Sequence, residues 1–254
     1  MSTHTSHSNP SPVSTAASPE TKLQNAAVCA ATHPDKPKPA DKSATVHAAV
    51  QPKLEGLQLQ LAELVSPDSV RRVTAAAALG GMADVAAVPA LIAALRDADA
   101  DVAREAAASL GLLGNAAAVE PLIAVLNNSG GYFHSVVRAA ATHSLGQLRD
   151  QSAIVPLLNA ISDPIAEASA EAIRALATFS DPRILPAFLE VVRNEHGFFL
   201  ATTRHAAILG LARIDGGQGA SELRFVAANQ REDAAIRAAA LEAIGQDTTS
   251  TAGA

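Results

Sequence analysis

The chain has 254 residues, a formal net charge of −6, one cysteine and no tryptophan. Apolar residues make up 48% but aromatics only 3%, so alanine and the aliphatics must do most of the packing. The single Cys29 excludes a disulfide framework and a cysteine-based zinc site. The acidic balance argues against a nucleic-acid binder, and no apolar run approaches the roughly 18 residues of a membrane span.

Residues 1–52 hold seven of the fourteen prolines, seven serines, six threonines, one Leu and no aromatic. Such a segment buries too little apolar surface to offset its ordering entropy. It is expected to be a disordered Ser/Thr/Pro-rich tail, either a solvated linker or a carrier of a short binding or modification motif. Its start, MSTHTSHSNP, lacks the basic region and apolar run of a signal peptide, so a cytoplasmic protein is expected. Through Lys53 the charge is +2, from five Lys against Glu20, Asp35 and Asp41. The rest carries 14 Arg against 22 acids, or −8.

Residues 53–246 are internally repetitive. A Leu-Gly or Leu-Ala type pair ends an alanine-rich helix at Leu79-Gly80, Leu110-Gly111, Leu145-Gly146, Leu176-Ala177, Leu211-Ala212 and Ile244-Gly245. Four residues before each anchor stands Ala75, Ala106, Ala141, Ala172, Ala207 or Ala240, and three after stands Met82, Leu113, Leu148, Phe179 or Ile214, until Asp247 breaks the column. Positions i, i+4 and i+7 share one helix face, so this is a buried stripe. The alanine column marks where two helices approach too closely for a larger side chain. A second set of helices, marked by Leu91/Leu95, Leu122/Leu126, Leu157/Ile161 and Phe188/Val192, precedes these, with Pro89, Pro121, Pro156 and Pro186 in their first turns. Proline is tolerated there because that N–H has no intrahelical partner. Each unit is therefore helix, turn, helix. Neither helix can bury its face alone, so the units stack. The predicted fold is all-α, a solenoid of about six such units over 53–246, with 247–254 as a short disordered tail. In the first unit, Gln58, Gln60 and Glu63 suit a polar cap.

Segments such as VPALIAALRDADADVAREAAASLGLLG (88–114) and IVPLLNAISDP (154–164) resemble HEAT repeats, in particular the short Ala-rich kind named after phycobilisome bilin lyases. The resemblance implies an α-solenoid with first helices on the convex side and second helices on the concave side. It also implies an Asp after the first helix bonded to an Arg early in the second. Asp97 with Arg104, and Asp68 with Arg71 or Arg72, fit this; the unit with Asp163 has no early Arg.

Two units carry inserts between their helices, NNSGGYFHSVVRAAA (127–141) and RNEHGFFLATTRHAA (193–207). A shift of 66 residues aligns Gly131 with Gly197, Tyr132 with Phe198, Phe133 with Phe199 and Arg138 with Arg204. The inserts hold four of the seven aromatics. Units stacked about 10 Å apart would place them roughly 20 Å from each other. Either Phe133 and Phe199 fold back to fill a gap left by the alanines, or the pairs dock a partner. The expectation is that Tyr132 and Phe198 point outward while Phe133 and Phe199 anchor the loops.

Other chemistry is thin. His134 and His143, like His196 and His205, are nine apart, about 180° around a helix, so neither pair chelates from one face. Cys29 lies in the tail with no base beside it. Gly216-Gly217-Gln218-Gly219 follows no strand and is read as a break between repeats. Asp97, Asp99 and Asp101 lack the remainder of a calcium loop and are read as a polar turn capping a helix. Glu105, His143, Glu171, Arg174 and His205 would lie on the second-helix face, mixed in sign. The candidate partner-binding residues are Tyr132, Phe133, Arg138, Phe198, Phe199, Arg204, His143 and His205. The reading is a non-catalytic scaffold or adaptor that binds another protein, with no cofactor or metal, no nucleic acid and no membrane. A bilin-lyase-like protein handling a tetrapyrrole is the alternative implied by the repeat subtype; it would need arginines for propionates and an acid for pyrrole nitrogens. A third possibility, a deoxyhypusine-hydroxylase-like enzyme, uses His-Glu dipeptides, and this chain has none.

Overall fold

The computed structural model describes residues 54–214 and 219–250. The 1–52 segment with Cys29, and Gly216, Gly217 and Gln218 of the glycine-rich break, lie outside the described residues. Among the described residues, twelve α-helices and no strand are present. They pair into six units: α1 (54–63) with α2 (Ser69–Gly81), α3 (Val88–Ala94) with α4 (Ala100–Leu113), α5 (Val119–Asn127) with α6 (Ser135–Leu148), α7 (Ile154–Ala160) with α8 (Ala166–Leu176), α9 (Ile184–Arg193) with α10 (Ala201–Ile214), and α11 (Ala220–Ala228) with α12 (Ala234–Ser250). The last helix continues past 246, where the array was expected to end. Gly245 is followed by neither Pro nor a second Gly, and one interior glycine costs only about 1 kcal/mol, too little to stop a helix.

Local chemistry sets the unit boundaries. Asp84, Asn115 and Asp150 accept the amides of Ala86, Ala117 and Ser152 and cap a single 3₁₀ turn ahead of α3, α5 and α7; Asp181 accepts the amide of Arg183 before α9. Just upstream, Ala83, Gly114 and Arg149 adopt the left-handed conformation that ends the preceding helix. Asp68 and Asp99 cap α2 and α4 by accepting the amides of Val70 and Asp101. The acids at 97–101 therefore form the expected polar cap, with Asp97 accepting from the Asp99 amide.

The second helices stack on one another in chain order, from α2 through α4, α6, α8 and α10 to α12. Ala106, Ala141, Ala172, Ala207 and Ala240 are fully buried in that layer, as are Leu79, Leu110, Leu145 and Leu176. Ser109 donates to the Ala76 carbonyl and Ser144 to the Ala107 carbonyl, both at 2.8 Å, so a small hydroxyl fastens each helix to its predecessor without widening the gap. At Gly146 the neighbour is backbone: an added Cβ would stand 2.9 Å from the Ala175 Cα.

Candidate functional site

The two inserts are the same loop built twice. α5 ends in Asn128 and α9 in Asn194, both left-handed (φ 41° and 46°). Each asparagine then clamps the loop. Its side-chain oxygen accepts the amide of Phe133 or Phe199 at 2.8 Å, and its side-chain amide donates to that residue's carbonyl at 3.2 or 3.0 Å. Gly131 and Gly197 make the left-handed turn inside it, and their amides donate back to the Asn128 and Asn194 carbonyls. This forces the two rings of each pair into edge-to-face contact, 5.1 Å between centroids at 90° and 89°, a preferred aromatic geometry. The Asn clamps are the feature the sequence reading missed; their 66-residue spacing was the signal.

Tyr132 and Phe198 are each 60% exposed. Phe133 and Phe199 are half-buried against the core. The copies differ in one respect. The Tyr132 hydroxyl donates to the Arg96 carbonyl of the preceding unit at 3.0 Å, whereas Phe198 has no hydroxyl to offer. Beside the second insert lies a hollow of about 570 Å³ lined by Pro186, Glu190, His196, Phe198 and Phe199. A smaller one of about 330 Å³ lies beside the first, between Ala103, Val137, Tyr132 and Phe133.

Arg138 and Arg204, candidates for partner contact, face inward instead. Arg138 donates to Asp163 of the following unit at 2.9 Å and to its own loop's Phe133 carbonyl. Arg204 holds both oxygens of Glu232 at 2.8 Å and donates to the Val192 carbonyl, while its Nε is buried without a partner. That pair holds the Glu232 carboxyl down at about 2. Arg72 grips Asp97 in the same way through two 2.7 Å contacts, which lowers the Asp97 carboxyl as well.

This corrects the ladder implied by the resemblance at Asp97 and Asp163, while Asp68 does pair with Arg71 of its own unit at 3.9 Å. Asp97 bonds not to Arg104 of its own unit but to Arg72 of the unit before, and Asp163 likewise takes Arg138. Arg104 instead pairs with Asp101 and Glu105 on its own helix. The bridges also alternate. At the position held by Arg72, Arg138 and Arg204, the second and fourth units carry Ala103 and Ser169. Ala103 helps to line the hollow beside Tyr132 and Phe133 of the following insert. One interface is bridged by an arginine, and the next is covered by an aromatic loop.

On the second-helix face, the His143 Nδ1 lies 2.8 Å from Glu171 Oε1, and Arg174 donates to the other Glu171 oxygen at 2.7 Å. They border a hollow of about 640 Å³ that also takes in Arg149, Thr178 and Arg213. His205 is exposed on α10, outside that hollow. Among the described residues no three of His, Cys, Asp and Glu converge as a metal site, and no helix is long and apolar enough to cross a membrane.

Comparison with curated protein sequences gives no match. Among solved structures, the complex of CpcE and CpcF of phycocyanin lyase from Nostoc sp. PCC7120 is similar at 28% identity and TM-score 0.56, covering 74% of this chain and 76% of that one. An engineered protein is similar at 20% identity and TM-score 0.53, covering 76% and 96%. Human deoxyhypusine hydroxylase in complex with glycerol matches at 18% identity and TM-score 0.44, covering 79% and 88%, a likeness too distant to bear on activity. The family model for HEAT repeats matches residues 57–135 and 131–202, more than half of the chain. With six stacked helix pairs and that match, the chain belongs to the HEAT-repeat family.

Proposed function

We propose that the array is a scaffold that holds another protein along the edge formed by its two inserts, with Tyr132 and Phe198 as the contact residues. The observation that carries this reading is the repeated loop: two rigid copies, built on the same Asn clamps and ring pairs, leave one ring each 60% exposed. A half-buried neighbour ring and a clamped backbone lower the ordering cost of binding, and aromatic anchors dominate interface energetics. Changing Tyr132→Ala together with Phe198→Ala should keep helical content and melting temperature and weaken the partner complex in titration calorimetry by about 2–4 kcal/mol. Unchanged affinity would make the inserts spacers. Tyr132→Phe is the control that removes only the hydroxyl tie to Arg96.

A second reading, a lyase-like protein that handles a tetrapyrrole, draws on the 28% identity to the phycocyanin lyase complex. Its test is an absorption change of added bilin on mixing with the purified chain.

A further inference from the structure

The hollow on the second-helix face concentrates positive charge on a body whose net charge is −8. Its rim carries Arg149 from the end of α6, Arg174 from α8 and Arg213 from α10, against the one acid Glu171. Most described arginines are matched by an acid. Arg72, Arg138 and Arg204 bridge units, and Arg71, Arg104, Arg183 and Arg193 pair on the surface. Of the six described arginines with no acid in ion-pair contact, Arg149 and Arg213 share this one hollow with Arg174.

Arg149 closes α6 in the left-handed conformation, φ 54°, as Ala83 and Gly114 do after the second helices of the first two units, φ 51° and 65°. The floor of the hollow is the close approach of Gly146 to Ala175. The missing side chain at Gly146 lets α6 and α8 close together there, which gives the hollow a packed floor.

We propose that this hollow binds an acidic peptide segment of the partner protein, its carboxylates facing Arg149 and Arg213. The hollow lies across α8 between two stacked neighbours: the α6 and α10 backbones are two stacking steps apart, roughly 20 Å, a distance that about six residues of extended chain cross. A segment with two acids about five residues apart can reach both arginines at once, and a planar guanidinium fork matches a carboxylate with two hydrogen bonds. Arg174, held by Glu171, stays fixed between them.

The inference rests on the scaffold reading but uses a different surface, so the two fail separately. The test uses the full chain and a fluorescein-labelled octapeptide with two glutamates five residues apart on a Ser/Ala background, followed by fluorescence polarisation at low salt. Wild type should bind it and the glutamine version should not. Arg149→Gly with Arg213→Ala should weaken binding at least tenfold; the glycine relieves the left-handed strain, so the variant should fold. Tyr132→Ala with Phe198→Ala should leave peptide binding unchanged. Equal binding of the glutamine peptide, or no effect of the arginine variant, overturns the proposal. So does competition by inorganic phosphate at the peptide's own dissociation constant, which would mark a simple anion site. So does a biliverdin absorption change that is lost in the arginine variant, which would assign the hollow to pigment carboxylates. Loss of partner binding in the aromatic variant alone leaves the scaffold reading standing and this one decided by the peptide.

Discussion

Ala141 and Ala207 have no exposed surface, and each stands where one second helix meets its neighbours. Leucine at either place should overpack the site and cost about 1–3 kcal/mol in urea denaturation. Stability in such arrays is set by nearest-neighbour contacts, so loss of hydrogen-exchange protection should stay within two or three units. Gly146→Ala is the sharper case. The added carbon would meet the Ala175 backbone rather than a flexible side-chain end, and α6 and α8 must separate to admit it. Protection that falls evenly across all six units in either variant would contradict the nearest-neighbour account.

The inserts and bridges are properties of whole elements. Asn194→Ala removes both hydrogen bonds that close the second loop and should cost about 1–2 kcal/mol. Phe199→Ala should cost less than the 3–5 kcal/mol of a fully buried ring, because Phe199 is only half-buried. Acid should act on the bridges. Glu232 titrates at about 2 in the folded chain against an ordinary 4.5, with Arg204 as the main cause. Its folded value is depressed, so its contribution is complete above about pH 4.5 and is lost as pH falls toward 2. Glu232→Gln should flatten the dependence of stability on pH across that window. An unchanged slope would mean that the bridge contributes nothing.

The element scale also shows what was legible. The alanine and leucine columns, the proline-started helices and the register of the two inserts could be read from periodicity, because burial leaves a repeating mark on residue type. The partner of an arginine leaves no such mark. Arg72 and Asp97 are 25 residues apart, and the sequence does not say whether the next unit's acid or the same unit's acid lies within reach. The Asn clamps went unread for a related reason: their role depends on a left-handed backbone that no composition count reveals. The hollow around Arg149, Arg174 and Arg213 joins three helices whose arginines sit at different repeat positions, so no column announces it.

At the scale of the molecule, the alternation of bridged and aromatic-covered interfaces gives the array a parity. The first, third and fifth units offer an arginine to the next unit, and the second and fourth carry the small Ala103 and Ser169 at that place, ahead of the units with inserts; the sixth carries Arg237 with no described unit after it. Removing residues 119–184 joins Ala118 to Leu185, keeps the order of interfaces and should leave a four-unit array that melts cooperatively. Removing residues 150–180, a single unit, seats Arg138 where Phe199 needs a small neighbour and takes away Asp163. An arginine left buried without its acid costs about 3–5 kcal/mol, and that shortened chain should melt lower despite having one unit more. By this logic the array can lengthen or shorten by recombination only in steps of two, so viable descendants would carry even numbers of units.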